Sequence, residues 1–210
     1  MENILKKVDS EKRDRIINSA IDEFSKYPYN IASTNTIVKN AKISKGLLFH
    51  YFGNKKALYE YLCEFVIKKL FNEINENLNW EETDIFERIK QITLIKLKIS
   101  RVYPKLFEFV ISIFKNTNSS FNTKDAISIY EKYGINMQEL FAKFYHHNID
   151  YSLFKEQSNI QKKINIIRWT IEKFAEEETA IMMNSNSKFE FEKIVVVMDN
   201  YVEVLKKAFY

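Results

Sequence analysis

The side chains whose types and spacing could do chemistry lie between Phe24 and Tyr59. This stretch holds Lys26, Lys39, Lys42, Lys45, Lys55 and Lys56 and no acidic residue. A solvated helix surface usually mixes signs, so a one-signed run predicts a face that meets phosphate. Residues 1–60 carry eleven basic and seven acidic side chains, whereas residues 61–210 carry 21 of each, so the whole net charge of +4 is N-terminal. Ser33 and Ser44 stand where they can cap helices, whose N-termini present free N–H groups and a positive dipole end. Gly46 lies inside a short helix, where it costs about 1 kcal/mol relative to alanine. Close approach of the backbone to DNA would account for retaining it. Lys45 can donate to guanine O6 or N7, or to phosphate, and Leu47 can touch a thymine methyl. His50 and Tyr51 can reach the DNA backbone.

Enzymatic readings lack parts. The sequence has no glycine-rich phosphate loop, no HExxH and no CxxC. Cys63 is the single cysteine, so it has no intrachain disulfide partner, and its apolar helical neighbours predict a packed thiol. His146 and His147 are adjacent and point about 100° apart on a helix, which disfavours joint chelation. Glu176 and Glu177 read as a solvated helix surface. No catalytic residue, metal site or cofactor is expected. The N-terminus lacks the apolar core of a signal peptide, and no window approaches about 18 uninterrupted apolar residues. A soluble, cytoplasmic protein without membrane contact is expected.

The elements that position these residues are helical. The chain is 46% hydrophobic yet contains only 3 Gly and 2 Pro in 210 residues, too little punctuation for an antiparallel all-β fold. Helix 1 is predicted from a Ser10 cap to about Lys26, burying Ile17, Ala20, Ile21 and Phe24. A second helix follows Ser33, with Thr34, Ile37, Val38 and Ala41 inward. A third follows Ser44, with Leu48 and Phe52 inward and Lys42-Ile43 as the turn between them. Asn54 caps a long fourth helix, about 55–77, that links a domain over 1–54 to one over 55–210. Further helices are predicted over 83–100, 102–116, 124–146, 160–183 and 188–208, with Pro104 in the first turn of its helix. The fold class is all-α: an N-terminal helix-turn-helix plus a larger helical unit.

Residues 33–59, STNTIVKNAKISKGLLFHYFGNKKALY, resemble the tetracycline-repressor (TetR) family of bacterial regulators. The resemblance runs through Ser44-Lys45-Gly46, Leu47-Leu48-Phe49-His50-Tyr51-Phe52 and Lys55-Lys56-Ala57-Leu58, and is specific over about residues 11–60. It implies DNA contacts by Ser33, Ser44, Lys45, Gly46, Leu47, Phe49, His50, Tyr51 and Lys55, the last a phosphate ligand. Three positions depart from the family pattern. Leu47 replaces a common threonine or serine, Phe49 a common tyrosine, and Lys42 the turn glycine. The resemblance also implies a homodimer on double-stranded, near-palindromic operator DNA, bound as one dimer or as paired dimers. Repression relieved by a small-molecule effector is the usual direction.

The region after residue 60 holds 24 of the 31 aromatic residues, which suits a pocket for an apolar or aromatic effector. Candidate lining residues are Tyr103, Phe107, Phe114, Tyr130, Phe141 and Trp169. Arg101 and Arg168 can pair with an anionic ligand or with local acids. Apolar stripes on the last two helices place Ile164, Ile167, Ile171 and Phe174, and Ile194, Met198, Tyr201, Val202 and Leu205, either at the dimer interface the resemblance implies or in the subunit's own core. A DNA-binding dimer without an effector stays open beside the ligand-responsive repressor, with a helical enzyme or membrane-associated protein as a remote alternative.

Overall fold

The computed structural model describes residues 9–115, 128, 131, 136–184 and 191–210. Within them the chain forms α1 (Ser10–Lys26), α2 (Thr34–Ala41), α3 (Lys45–Phe52), α4 (Lys55–Asn77), α5 (Ile85–Val102), α6 (Pro104–Lys115), α7 (Met137–His146), a 3-10 turn (Tyr151–Leu153), α8 (Ile160–Asn184) and α9 (Phe191–Phe209). No strand occurs among the described residues. The chain is all-α, as its sparse glycine and proline content predicts. Of the predicted 124–146 helix before Met137, Ser128 and Glu131 are helical and the remainder up to residue 135 lies outside the described residues.

Local chemistry sets the helix ends. Asp9, not Ser10, caps α1, its carboxylate accepting from Lys12 N at 3.2 Å. Ser10 is instead the first helical residue, so the helix begins one residue earlier than expected. Ser33 accepts from Thr36 N at 3.4 Å, Ser44 from Leu47 N at 3.1 Å and Asn54 from Ala57 N at 2.9 Å. Each satisfies an N–H that has no partner within its own helix. Pro104 opens α6, where its missing N–H leaves nothing unpaired.

Two compact units emerge. The first takes in α1 to α3, α4 as far as Phe71, and the segment from Val102 to Met137 that contains α6. Its core includes Ile16, Ala20 and Phe24 of α1, Ile37 and Ala41 of α2, Leu48 and Phe52 of α3, Leu58, Leu62 and Val66 of α4, and Phe109 of α6. Phe24, Tyr59 and Phe109 meet edge to face or tilted, with centroids 4.9–6.4 Å apart. An ion pair between Asp22 and Lys105 ties α1 to α6 at the surface. The compact unit around α1–α3 therefore extends well beyond residue 54.

The second unit runs from Asn72 to Arg101 and from Gln138 to Tyr210. Arg88, fully buried, gives it a polar centre. Its guanidinium donates to the carbonyl oxygens of Trp80 (3.2 Å), Glu82 (2.5 Å), Phe144 (3.4 Å) and His147 (3.3 Å). It thereby closes the 78–84 link onto the end of α7. Lys206 bonds Asp84 (2.7 Å) and Glu87 (3.0 Å), and the Tyr210 hydroxyl donates to Asp84 at 3.0 Å, fixing the end of α9 to the start of α5. Ile164, Ile167 and Ile171 of α8 and Ile194, Met198 and Val202 of α9 are buried within this unit.

Candidate nucleic-acid interface

The turn between α2 and α3 sets the angle of α3. Lys42 adopts φ 55°, ψ 48°, the left-handed region. Its N–H bonds Lys39 O at 3.3 Å, and the Ile43 N–H bonds Val38 O at 3.1 Å. This pair of bonds is the Schellman arrangement, and its usual hydrophobic contact is supplied by Ile43 and Val38, both packed against the core. The Arg15 guanidinium reaches Ala41 O at 3.3 Å and satisfies another carbonyl at the end of α2. Lysine carries a Cβ into a conformation that favours glycine, so the turn holds strain of roughly 1 kcal/mol.

Leu48 and Phe52, four residues apart, anchor α3 in the core. Helical periodicity then leaves Ser44, Lys45, Gly46 and His50 exposed, with Leu47 partly so. Beyond Ser44 Oγ at 4.0 Å, a Cβ built on Gly46 meets nothing. The free surface at Gly46 thus lies open, and no packing within the protein demands a glycine there. Lys39, Lys42 and Lys45 are exposed and make no ion pair among the described residues. Their charge is uncompensated. Phe49 and Tyr51 are half-buried and pack against the core, so these two serve the fold as well as the surface. The Lys45 ammonium stands 5.9 Å from the Phe49 ring centroid.

Ser33 and Lys55 each have partners near the end of α1. The Ser33 N–H donates to the Glu23 carboxylate at 2.7 Å, and Glu23 is only 5% exposed. Sequence reasoning missed Glu23. Its one signal is an acid beside the buried α1 stripe of Ile17, Ala20, Ile21 and Phe24. Lys55 lies over the Tyr29 ring at 4.9 Å and reaches Asn30 O at 3.5 Å. Burial there draws its ammonium pKa below the ordinary lysine value, with Glu23 opposing the shift.

The other expected site residues are distributed differently. Tyr103 and Phe107 belong to the first unit, where Lys69 sits 4.4 Å over the Tyr103 ring. Phe141 and Trp169 belong to the second unit and are 45% and 58% exposed. Tyr130 and the Phe114 side chain lie outside the described residues. Phe174 is buried like its α8 neighbours, Leu205 is half-buried and Tyr201 is exposed. Cys63 is buried among apolar side chains, which pushes its thiol well above the ordinary range. His146 accepts from or donates to the Tyr151 hydroxyl at 2.8 Å, while His147 rests against Trp80. Among the described residues no helix is long and apolar enough to cross a membrane, and no three His, Cys, Asp or Glu side chains gather as a metal site.

A capped pair of short helices set by a tight turn, with the second presenting its N-terminal end, defines a helix-turn-helix protein. Residues 16–62 match the family model described as bacterial regulatory proteins, tetR family. The match takes in most of α1, both helices of the helix-turn-helix and the start of α4. It is 30% identical over 101 residues to the biofilm operon icaADBC HTH-type negative transcriptional regulator IcaR of Staphylococcus aureus (strain Newman), covering 48% of this chain and 47% of that protein. It is 25% identical over 95 residues to the nucleoid occlusion factor SlmA of Marinomonas sp. (strain MWYL1), covering 45% and 48%. The chain thus spans about half the length of these curated relatives. In fold, it is similar to a TetR family transcriptional regulator from Chloroflexus aurantiacus, with a TM-score of 0.68 at 16% identity, over 99% of this chain and 97% of that one. The fatty acid degradation regulator FadR from Bacillus halodurans gives 0.62 at 17% identity, over 92% and 97%.

Proposed function

We propose that this protein is a cytoplasmic, DNA-binding transcriptional repressor that occupies a near-palindromic operator as a homodimer and responds to a small-molecule effector. The observation that carries the reading is the exposed, acid-free N-terminal end of α3. Lys45 reads a guanine edge or a phosphate, Leu47 touches a thymine methyl, and Gly46 lets the backbone approach. Ser33, Ser44, His50, Tyr51 and Lys55 hold the sugar-phosphate backbone around it, and Phe49, lacking a hydroxyl, adds apolar contact alone. For Lys55 this means exchanging its Tyr29 and Asn30 partners for a phosphate oxygen, a favourable exchange for a partly desolvated ammonium.

A second copy of the chain is the partner for the exposed apolar side chains of α8 and α9. Ile166 and Trp169 on α8 and Val196, Val197, Tyr201 and Val204 on α9 are 41–66% exposed. Val197, Tyr201 and Val204 follow one helical stripe. A monomeric protein seldom leaves such a stripe uncovered. Two-fold pairing places two α3 helices in successive major grooves, about 34–36 Å apart. An effector that binds one dimer geometry better than the other shifts the population between them, by no more than that difference in affinity.

Genomic binding-site selection with the full chain tests the reading. Enrichment of an inverted repeat whose half-sites lie one helical turn apart, near promoters, is expected. Selection of no sequence, or of a single unpaired half-site, would overturn it.

A further inference from the structure

A cavity of about 290 Å³ opens in the second unit between α7 and α8. Phe141, Tyr145 and Ile164 supply its apolar surface, and Gln161, Asn165 and Arg168 are among its polar lining. The Phe141 and Tyr145 rings stack with centroids 5.8 Å apart and planes 20° from parallel. The Arg168 guanidinium lies 5.7 Å from both centroids.

The charge around this cavity is unbalanced. Arg168 Nη1 bonds Glu172 Oε2 at 3.2 Å, and Lys96 Nζ bonds Glu172 Oε1 at the same distance. Two cations therefore share one carboxylate. The Tyr145 hydroxyl donates to Glu172 Oε1 at 3.4 Å and adds no charge. None of the cavity's lining residues is acidic. His146, also in the lining, has its pKa lowered by burial and stays neutral near pH 7. Among the described residues, the remaining Arg168 N–H groups engage no acceptor. An aromatic wall beside a guanidinium with donors to spare selects a flat apolar body carrying an anion. The volume suits roughly a dozen non-hydrogen atoms, at the small end of ligand pockets.

We infer that this cavity binds a small aromatic carboxylate, with the Phe141–Tyr145 pair holding the ring and Arg168 the carboxylate. The inference rests on the reading of the chain as ligand-responsive and adds to it the place and chemical class of the effector.

Isothermal titration of the full chain with 2-naphthoate, 2-naphthamide and 2-naphthylmethylamine tests it. The acid should bind at least tenfold tighter than the amide, since a charge-assisted bond outweighs a neutral one by that margin. The amine should bind weakest. Arg168→Gln should remove the preference for the acid while leaving amide binding unchanged, and Arg168→Lys should restore part of it. Phe141→Ala, at an exposed position, should weaken acid and amide alike. Absence of binding at millimolar 2-naphthoate, equal affinity for acid and amide, or indifference to both Arg168→Gln and Phe141→Ala would each overturn the site. Operator affinity measured in parallel separates the two readings. Naphthoate binding that leaves DNA affinity unchanged retains the site and defeats effector control. An effect on DNA that survives Arg168→Gln retains effector control and defeats the site.

Discussion

Lys42 is held at φ 55° by two backbone bonds that close the turn before α3. Replacing it with glycine removes the Cβ clash but gives the unfolded chain more freedom, and the first effect is larger. Lys42→Gly should therefore raise stability by about 1 kcal/mol in urea unfolding, while removing a cation should weaken DNA binding slightly. Gly46 gives the opposite test. A Cβ there meets only Ser44 Oγ, at an ordinary contact distance of 4.0 Å, so Gly46→Ala should stabilise α3 by up to about 1 kcal/mol. If the glycine serves close approach to DNA, the same variant should bind operator at least tenfold more weakly in fluorescence anisotropy. Higher stability with unchanged DNA affinity would show that the position has no such role. Departures of this kind were legible in the sequence because turns and caps are local. Ser33, Ser44 and Asn54 each bond an N–H three residues on. Glu23 was not legible, because its partner Ser33 is ten residues away and only the fold brings them together.

At the scale of the element, the helix-turn-helix rests on α1, and α1 is tied to α6 through Asp22. Hydrogen bonds from Lys105 and then Lys26 hold the Asp22 carboxyl below its ordinary range, against a smaller desolvation effect. A carboxylate with a lowered folded-state pKa stabilises the fold fully above its unfolded value, near 4. That contribution is lost as pH falls through the lowered value. Asp22→Asn should accordingly cost about 1 kcal/mol or less at pH 7, discounted because Lys105 is 59% exposed. The difference from the parent should shrink steadily below pH 4, and a difference independent of pH would rule out the ionised pair as its source. The α1–α6 packing itself was not readable from periodicity. The stripe on Pro104–Lys115 declares an apolar face without saying which element covers it. Leu106, Phe109, Val110 and Ile113 lie in the core of the first unit, although their place in the sequence falls well after the helix-turn-helix.

The same ambiguity governs the whole molecule. Helices α8 and α9 each carry two apolar faces, and sequence spacing singled out Ile164, Ile167, Ile171, Phe174, Ile194, Met198, Tyr201, Val202 and Leu205, of which all but the exposed Tyr201 and the half-buried Leu205 fill the second unit's own core. What remains exposed on α9 is a stripe in which Val197 and Val204 flank Tyr201. Covering that stripe with another copy removes apolar surface from water at about 25 cal/mol per Å², which is the driving force the proposed dimer needs. A lysine at position 204 would leave an unpaired charge in such an interface but lie in solvent on a monomer. Val204→Lys should therefore convert a dimer into a monomer in multi-angle light scattering, with the helical circular dichroism spectrum retained. Its operator affinity should fall steeply, and the dependence of log affinity on log salt should flatten towards half the parent slope, because one reading head then contacts half the phosphates. A parent protein that is monomeric at micromolar concentration, or a Val204→Lys variant with the parent's mass and salt slope, would show that this face does not join two copies.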